Sequence, residues 1–128
     1  MQITPINPTG NVYSTTEDYI HAVQLSGAQT LLFVSGTMGL DSNGSAPSGL
    51  DDQLKLIWAN LREILANAKM TTDNIVRLTS YLRKPEYAEA NQNARLDALG
   101  GRRIPTTAIV VETLQSDWFV EIEIIAAA

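Results

Sequence analysis

The sequence predicts one α+β domain in the order β-β-α-β-α-β-β, a mixed sheet with two helices on one face. Three observations predict it. The chain has 128 residues, 45% of them apolar and 18% charged, which is enough for one core and too little for two. Apolar periodicity marks only two helices against about five strands. Right-handed crossovers then put both helices on the same side of the sheet. Residues 1–128 read as a single domain, with no repeat and no low-complexity tract.

Each element has its own signal. The first dozen residues carry Pro5, Pro8 and Gly10 and read as an irregular lead-in. Residues 19–25 and 30–36 read as strands of a hairpin turning at Ser26-Gly27-Ala28. Leu31-Leu32-Phe33-Val34 is continuously apolar, as a strand buried on both faces would be. A loop dense in turn formers follows, from Asp41 to Gly49. Over residues 50–69, Leu54, Ile57, Trp58, Leu61, Ile64, Leu65 and Ala68 recur at steps of three and four and form one apolar stripe. Asp51 and Asp52 lie at the helix end that favours negative charge, and Lys69 at the opposite end. Residues 75–83 alternate: Val76, Leu78, Ser80 and Leu82 on one face, Arg77, Thr79, Tyr81 and Arg83 on the other. Pro85 opens a second helix and Gly100-Gly101 closes it. Strands over 106–114 and 119–127 complete the order. In the first of these, Ala108 and Val110 make one face apolar, and Ile109 and Val111 the other. No element remains to cover the second face, so a partner copy of the chain is expected to cover it.

Composition excludes several chemistries. There is no cysteine, hence no disulfide framework, thiolate metal site or Cys nucleophile. One histidine rules out a multi-His metal site, and neither a metal nor a cofactor is expected. A net charge of −5 speaks against a nucleic-acid face, which needs clustered positive charge. No apolar run is long enough to span a membrane. The first residues lack the basic and apolar regions of a signal peptide, so a cytoplasmic location is expected.

The order and spacing of several motifs resemble the RidA (YjgF) family, also called endoribonuclease L-PSP. The carriers are Val34-Ser35-Gly36 after the second strand, Gln53 and Asn60 in the first helix, and Asp73-Asn74-Ile75-Val76 running on to Tyr81-Leu82. Asn91 in the second helix, Pro105 before a strand, and the closing Val120-Glu121-Ile122-Glu123-Ile124-Ile125-Ala126 complete the set. The resemblance implies a chorismate-mutase-like fold. It also implies a homotrimer with a central β-barrel and ligand clefts between neighbouring subunits. The implied chemistry is hydrolysis of enamines and imines to 2-oxo acids and ammonia, so the expected ligand is a small imino, enamino or 2-oxo acid. By the same resemblance Glu121 positions the attacking water, and Tyr19, Gly36, Thr107 and Ile109 bind substrate. The family's carboxylate-binding Arg belongs at position 107, but the chain reads Pro105-Thr106-Thr107. A hydroxyl supplies neither the charge nor the fork of a guanidinium. Losing one charge-assisted hydrogen bond, worth about 1.5–3 kcal/mol, weakens an acid by about tenfold or more. The family's helix-ending Gly is Lys69 here.

Other readings stay open beside these. Glu121 and Glu123 share a strand face and suit either a catalytic pair or an interface network. Arg103, with Arg102, suits either a replacement cation or a solvated loop. Arg77 and Arg83 suit either the cleft or ion pairs with Glu112, Glu121 or Glu123. His21 reads as a surface or interface residue, and Trp58 as core. Gly36 and Gly39 are spaced like a fragment of a phosphate loop, but no Lys-Ser/Thr follows.

Overall fold

The apolar stripe in the first half of the chain winds into a helix, α1 (Leu50–Asn67), and buries Leu54, Ile57, Trp58, Leu61 and Leu65. Ile64, at the edge of that stripe, stays exposed. The computed structural model describes all 128 residues and contains six strands. These are β1 (Gln2–Ile6), β2 (Ala22–Ser26), β3 (Leu31–Met38), β4 (Ile75–Leu82), β5 (Thr106–Val110) and β6 (Val120–Ala127). The second helix, α2 (Ala88–Ala98), follows a 3-10 turn that begins at Pro85. It ends where Gly100 and Gly101 take positive φ angles of 62° and 80°.

The main sheet has the order β3-β6-β4-β5, with β4 and β5 parallel and the other pairs antiparallel. It is therefore mixed, as predicted. Alternation along β4 and β6 sends Leu78, Leu82, Ile122 and Ile124 into the core under the helices. Arg77, Thr79, Tyr81, Glu121, Glu123 and Ile125 are partly exposed on the opposite face. No chain element covers that face. Phe33 is 70% exposed on it, and Val110 at the sheet edge is 53% exposed.

Two local expectations need correction. The N-terminal residues form a strand, β1, which pairs antiparallel with β2. It is an edge strand exposed along its whole length, so it shows no apolar alternation, and an edge tolerates Pro5. The hairpin between the next two strands does not form its own ladder. Instead β3 pairs with β6, and the amides of Gln29 and Thr30 donate to the Ala128 carbonyl. Within the chain β3 is covered on one face only.

Two bulges re-aim side chains. The β3–β6 register shifts by one residue between Val34 and Thr37, at Ser35-Gly36. The β4–β6 register shifts between Ile75 and Arg77. Ile75 and Val76 are therefore both buried, and Arg77 turns to the open face.

Candidate functional site

The expected site residues lie on the uncovered sheet face and divide between its two ends. At one end the β3 bulge brings Gly36 against Glu121, with Tyr81, Val111, Glu112 and Glu123 around a cavity of about 280 Å³. A Cβ built on Gly36 would overlap the Glu121 carboxylate, with Cδ at 2.8 Å, so only glycine leaves that carboxylate where it stands. Glu123 accepts a hydrogen bond from the Tyr81 hydroxyl at 2.5 Å. That bond, with burial and the Glu123 charge, raises the Tyr81 pKa. Burial, and after it the neighbouring Glu123, pushes the Glu121 carboxyl above its ordinary range. Ile109 stands opposite Tyr81 in the β4–β5 ladder and Glu121 opposite Tyr81 in the β4–β6 ladder, which puts Ile109 in the same row of the sheet.

At the other end, Tyr19 and Thr107 line a larger and mostly apolar cavity of about 660 Å³. Tyr13, His21, Leu31, Phe33 and Arg77 also line it. The lone histidine is held there. Its Nε2 lies 2.7 Å from the Tyr13 carbonyl, and the Tyr13 ring packs edge-on against it at 5.0 Å.

The segment that presents Tyr19 is pinned from two sides. Arg95, buried on α2, donates to the Asp18 carboxylate at 2.6 Å and to the Asp18 carbonyl at 2.9 Å. Burial opposes the Asp18 charge, but hydrogen bonds from Thr16 and Arg95 outweigh it and hold the carboxyl below its ordinary pKa. Arg103 donates to the carbonyls of Tyr19 at 2.8 Å and Thr16 at 3.3 Å. Arg103 thus lies behind Tyr19 and is bonded to main chain. The guanidinium bonded to Thr107 belongs to Arg77, whose Nη2 donates to Oγ1 at 2.8 Å. Arg102 donates to the carbonyls of Thr72 and Ile75, and Arg83 to those of Thr113 and Gln115. The ion pairs expected of Arg77 and Arg83 with Glu112, Glu121 or Glu123 do not form within the chain, since Arg95–Asp18 is its one salt bridge.

The helix motif residues support the site from behind. The buried Gln53 amide donates to the carbonyls of Pro47 and Asp117 and accepts from the Phe119 amide. Asn60 donates to the carbonyls of Met38 and Leu40. Together they tie the end of β3 and the start of β6, which carry Gly36 and Glu121, to one helix. Gly39 lets β3 approach that helix, because a Cβ there would lie 2.8 Å from the Gln53 Cα. Sequence reasoning missed the Arg95–Asp18 pair, since the partners lie 77 residues apart and neither belongs to a motif.

Comparisons with known proteins agree with this architecture. The model of the family described as Endoribonuclease L-PSP matches residues 9–128. The RutC family protein YjgH of Escherichia coli is 35% identical over 83 residues, 65% of this chain, and the match spans 62% of that relative's length. A solved structure of a protein YjgH superposes with a TM-score of 0.69 at 31% identity, covering 99% of this chain and 97% of that one. YyfB from Yersinia pestis, a Rid-family protein of unknown function, superposes with a TM-score of 0.84 at 26% identity over 100% of both chains.

Proposed function

The chain belongs to the RidA (YjgF, endoribonuclease L-PSP) family, and from that membership we propose that it binds a small imino, enamino or 2-oxo acid in clefts between the subunits of a homotrimer. The supporting observation is the division of the site. Gly36 and Glu121 occupy one end of an uncovered sheet face, and Tyr19 and Thr107 the other. Copies packed through that face bring one protomer's acidic end beside the neighbour's Tyr19 end, and they bury the exposed Phe33.

The proposed reaction is imine hydrolysis. Glu121 takes a proton from water as the water oxygen bonds to the carbon of the protonated imine, and the C=N π electrons go to nitrogen, leaving a neutral amino group on a tetrahedral adduct. Glu121 then passes that proton to the amino nitrogen. The ionised carboxylate next takes the adduct's hydroxyl proton as the oxygen electrons form the carbonyl, the C–N bond breaks, nitrogen leaves as ammonia, and Glu121 releases the last proton to solvent. A carboxyl pKa raised by burial and by the neighbouring Glu123 suits a group that must both accept and return a proton. Thr107, Tyr19, Ile109 and the Gly36 main chain line the substrate.

Thr107 favours a second reading, a non-catalytic trimer that binds or senses a metabolite. Ammonia release from a panel of freshly generated imines separates the two. Turnover lost in Glu121→Ala supports the enzyme. Thermal stabilisation by 2-oxo acids without turnover supports the binder. An endoribonuclease reading is disfavoured by the acidic charge balance, and RNA cleavage abolished by Glu121→Ala would restore it.

A further inference from the structure

We propose that Arg77, reaching across from the neighbouring strand, is the acid-binding cation of this cleft, and that the cleft selects acids with a bulky apolar group. This rests on the cleft reading above and deepens it. Arg77 lies in β4, and Thr107 pairs with Thr79 two residues further along the same face. The register shift at the start of β4 turns Arg77 onto that face. Its Nη2 donates to Thr107 Oγ1 at 2.8 Å, and it has no carboxylate partner although it is partly buried. A guanidinium carries five donors in a planar fork. One is used to orient it, and the others remain for a ligand. Thr107 has the reach to accept that bond without filling the space, so a threonine here positions the cation that an arginine at 107 would otherwise supply.

The surroundings set the rest of the ligand. The cavity holds about 660 Å³, and ten of its fifteen lining residues are hydrophobic. Tyr13, Tyr19 and Leu31 supply aromatic and aliphatic walls, and Arg77 is the one Lys or Arg among the lining residues. One positive fork among mostly apolar walls suits a monocarboxylate carrying an aromatic or branched aliphatic side chain. A two- or three-carbon acid leaves most of the chamber wet.

The test is calorimetric titration of the assembled protein with phenylpyruvate, a stable aromatic 2-oxo acid, and with pyruvate. Wild type is expected to bind phenylpyruvate at least tenfold more tightly than pyruvate. Arg77→Met is expected to lose tenfold or more for phenylpyruvate, with an unchanged oligomer mass. Thr107→Arg in the Arg77→Met background is expected to recover most of that loss, which a merely structural Arg77 would not allow. Equal binding by wild type and Arg77→Met, no binding of phenylpyruvate, or a preference for pyruvate would each overturn the proposal. Binding carries the test, so Arg77-dependent affinity in a protein that releases no ammonia upholds this inference and refutes the hydrolase reading. Turnover untouched by Arg77→Met does the reverse.

Discussion

Two glycines three residues apart answer to different neighbours, and single substitutions separate them. At Gly36 a new Cβ meets the free end of the Glu121 side chain, which can swing away. Gly36→Ala is expected to cost under about 1 kcal/mol of stability while displacing the carboxylate and its reaction. At Gly39 the new Cβ meets the main chain of Gln53, which cannot move alone. Gly39→Ala is expected to cost about 2–3 kcal/mol. Denaturant melts of the two variants, read beside ammonia release, check the contrast. Glu121 has a pH signature of its own. Its folded-state pKa lies above the ordinary 4.5, so the unfolded chain loses this proton first as pH rises. Stability attributable to this group therefore falls with rising pH across that window, and Glu121→Gln should abolish the fall. Turnover, which needs the ionised form, should climb through the same window. Lys69 adopts φ 58° at the end of α1, a conformation that costs a side-chain-bearing residue about 1 kcal/mol. Lys69→Gly is expected to raise the melting temperature by a few degrees and leave ligand binding alone.

Among the elements, the segment 15–19 matters most, because it carries Tyr19 and has no secondary structure of its own. Arg95 and Arg103 hold it through their bonds to Asp18, Thr16 and Tyr19. Arg95→Met leaves the partly buried Asp18 carboxylate unpaired and is expected to cost about 3 kcal/mol. The Asp18 contribution is fully present above the ordinary carboxylate pKa of 3.8 and is lost as pH falls through its lower folded-state value. Asp18→Asn should therefore be less stable than wild type at pH 7 and match it in strong acid, as urea melts across pH would show. This anchorage leaves no mark in the sequence, because Asp18 and Arg95 meet only after α2 docks. The helices were legible because burial imposes a step of three and four, and β4 because its two faces differ. Strand β1 was not, since an exposed edge imposes no pattern. Gly36 and Glu121 could be singled out from the motif resemblance, whereas the Arg77–Thr107 bond depends on parallel pairing of β4 and β5, which local pattern does not encode.

At the scale of the whole molecule, the helices cover one face of the main sheet and nothing in the chain covers the other. Leu114 is 89% exposed and Phe33 70%, on the same side as every residue proposed to touch ligand. A monomer would leave that apolar surface in water and the two halves of the site apart. The apolar β5 already pointed to a partner copy, but its geometry depends on which strands lie beside it. In the proposed homotrimer, three copies close the site between them. Sedimentation equilibrium at micromolar concentration tests it most directly. A particle of about 42 kDa, three times the 14.0 kDa chain, is the predicted result, and a stable 14.0 kDa particle would contradict it.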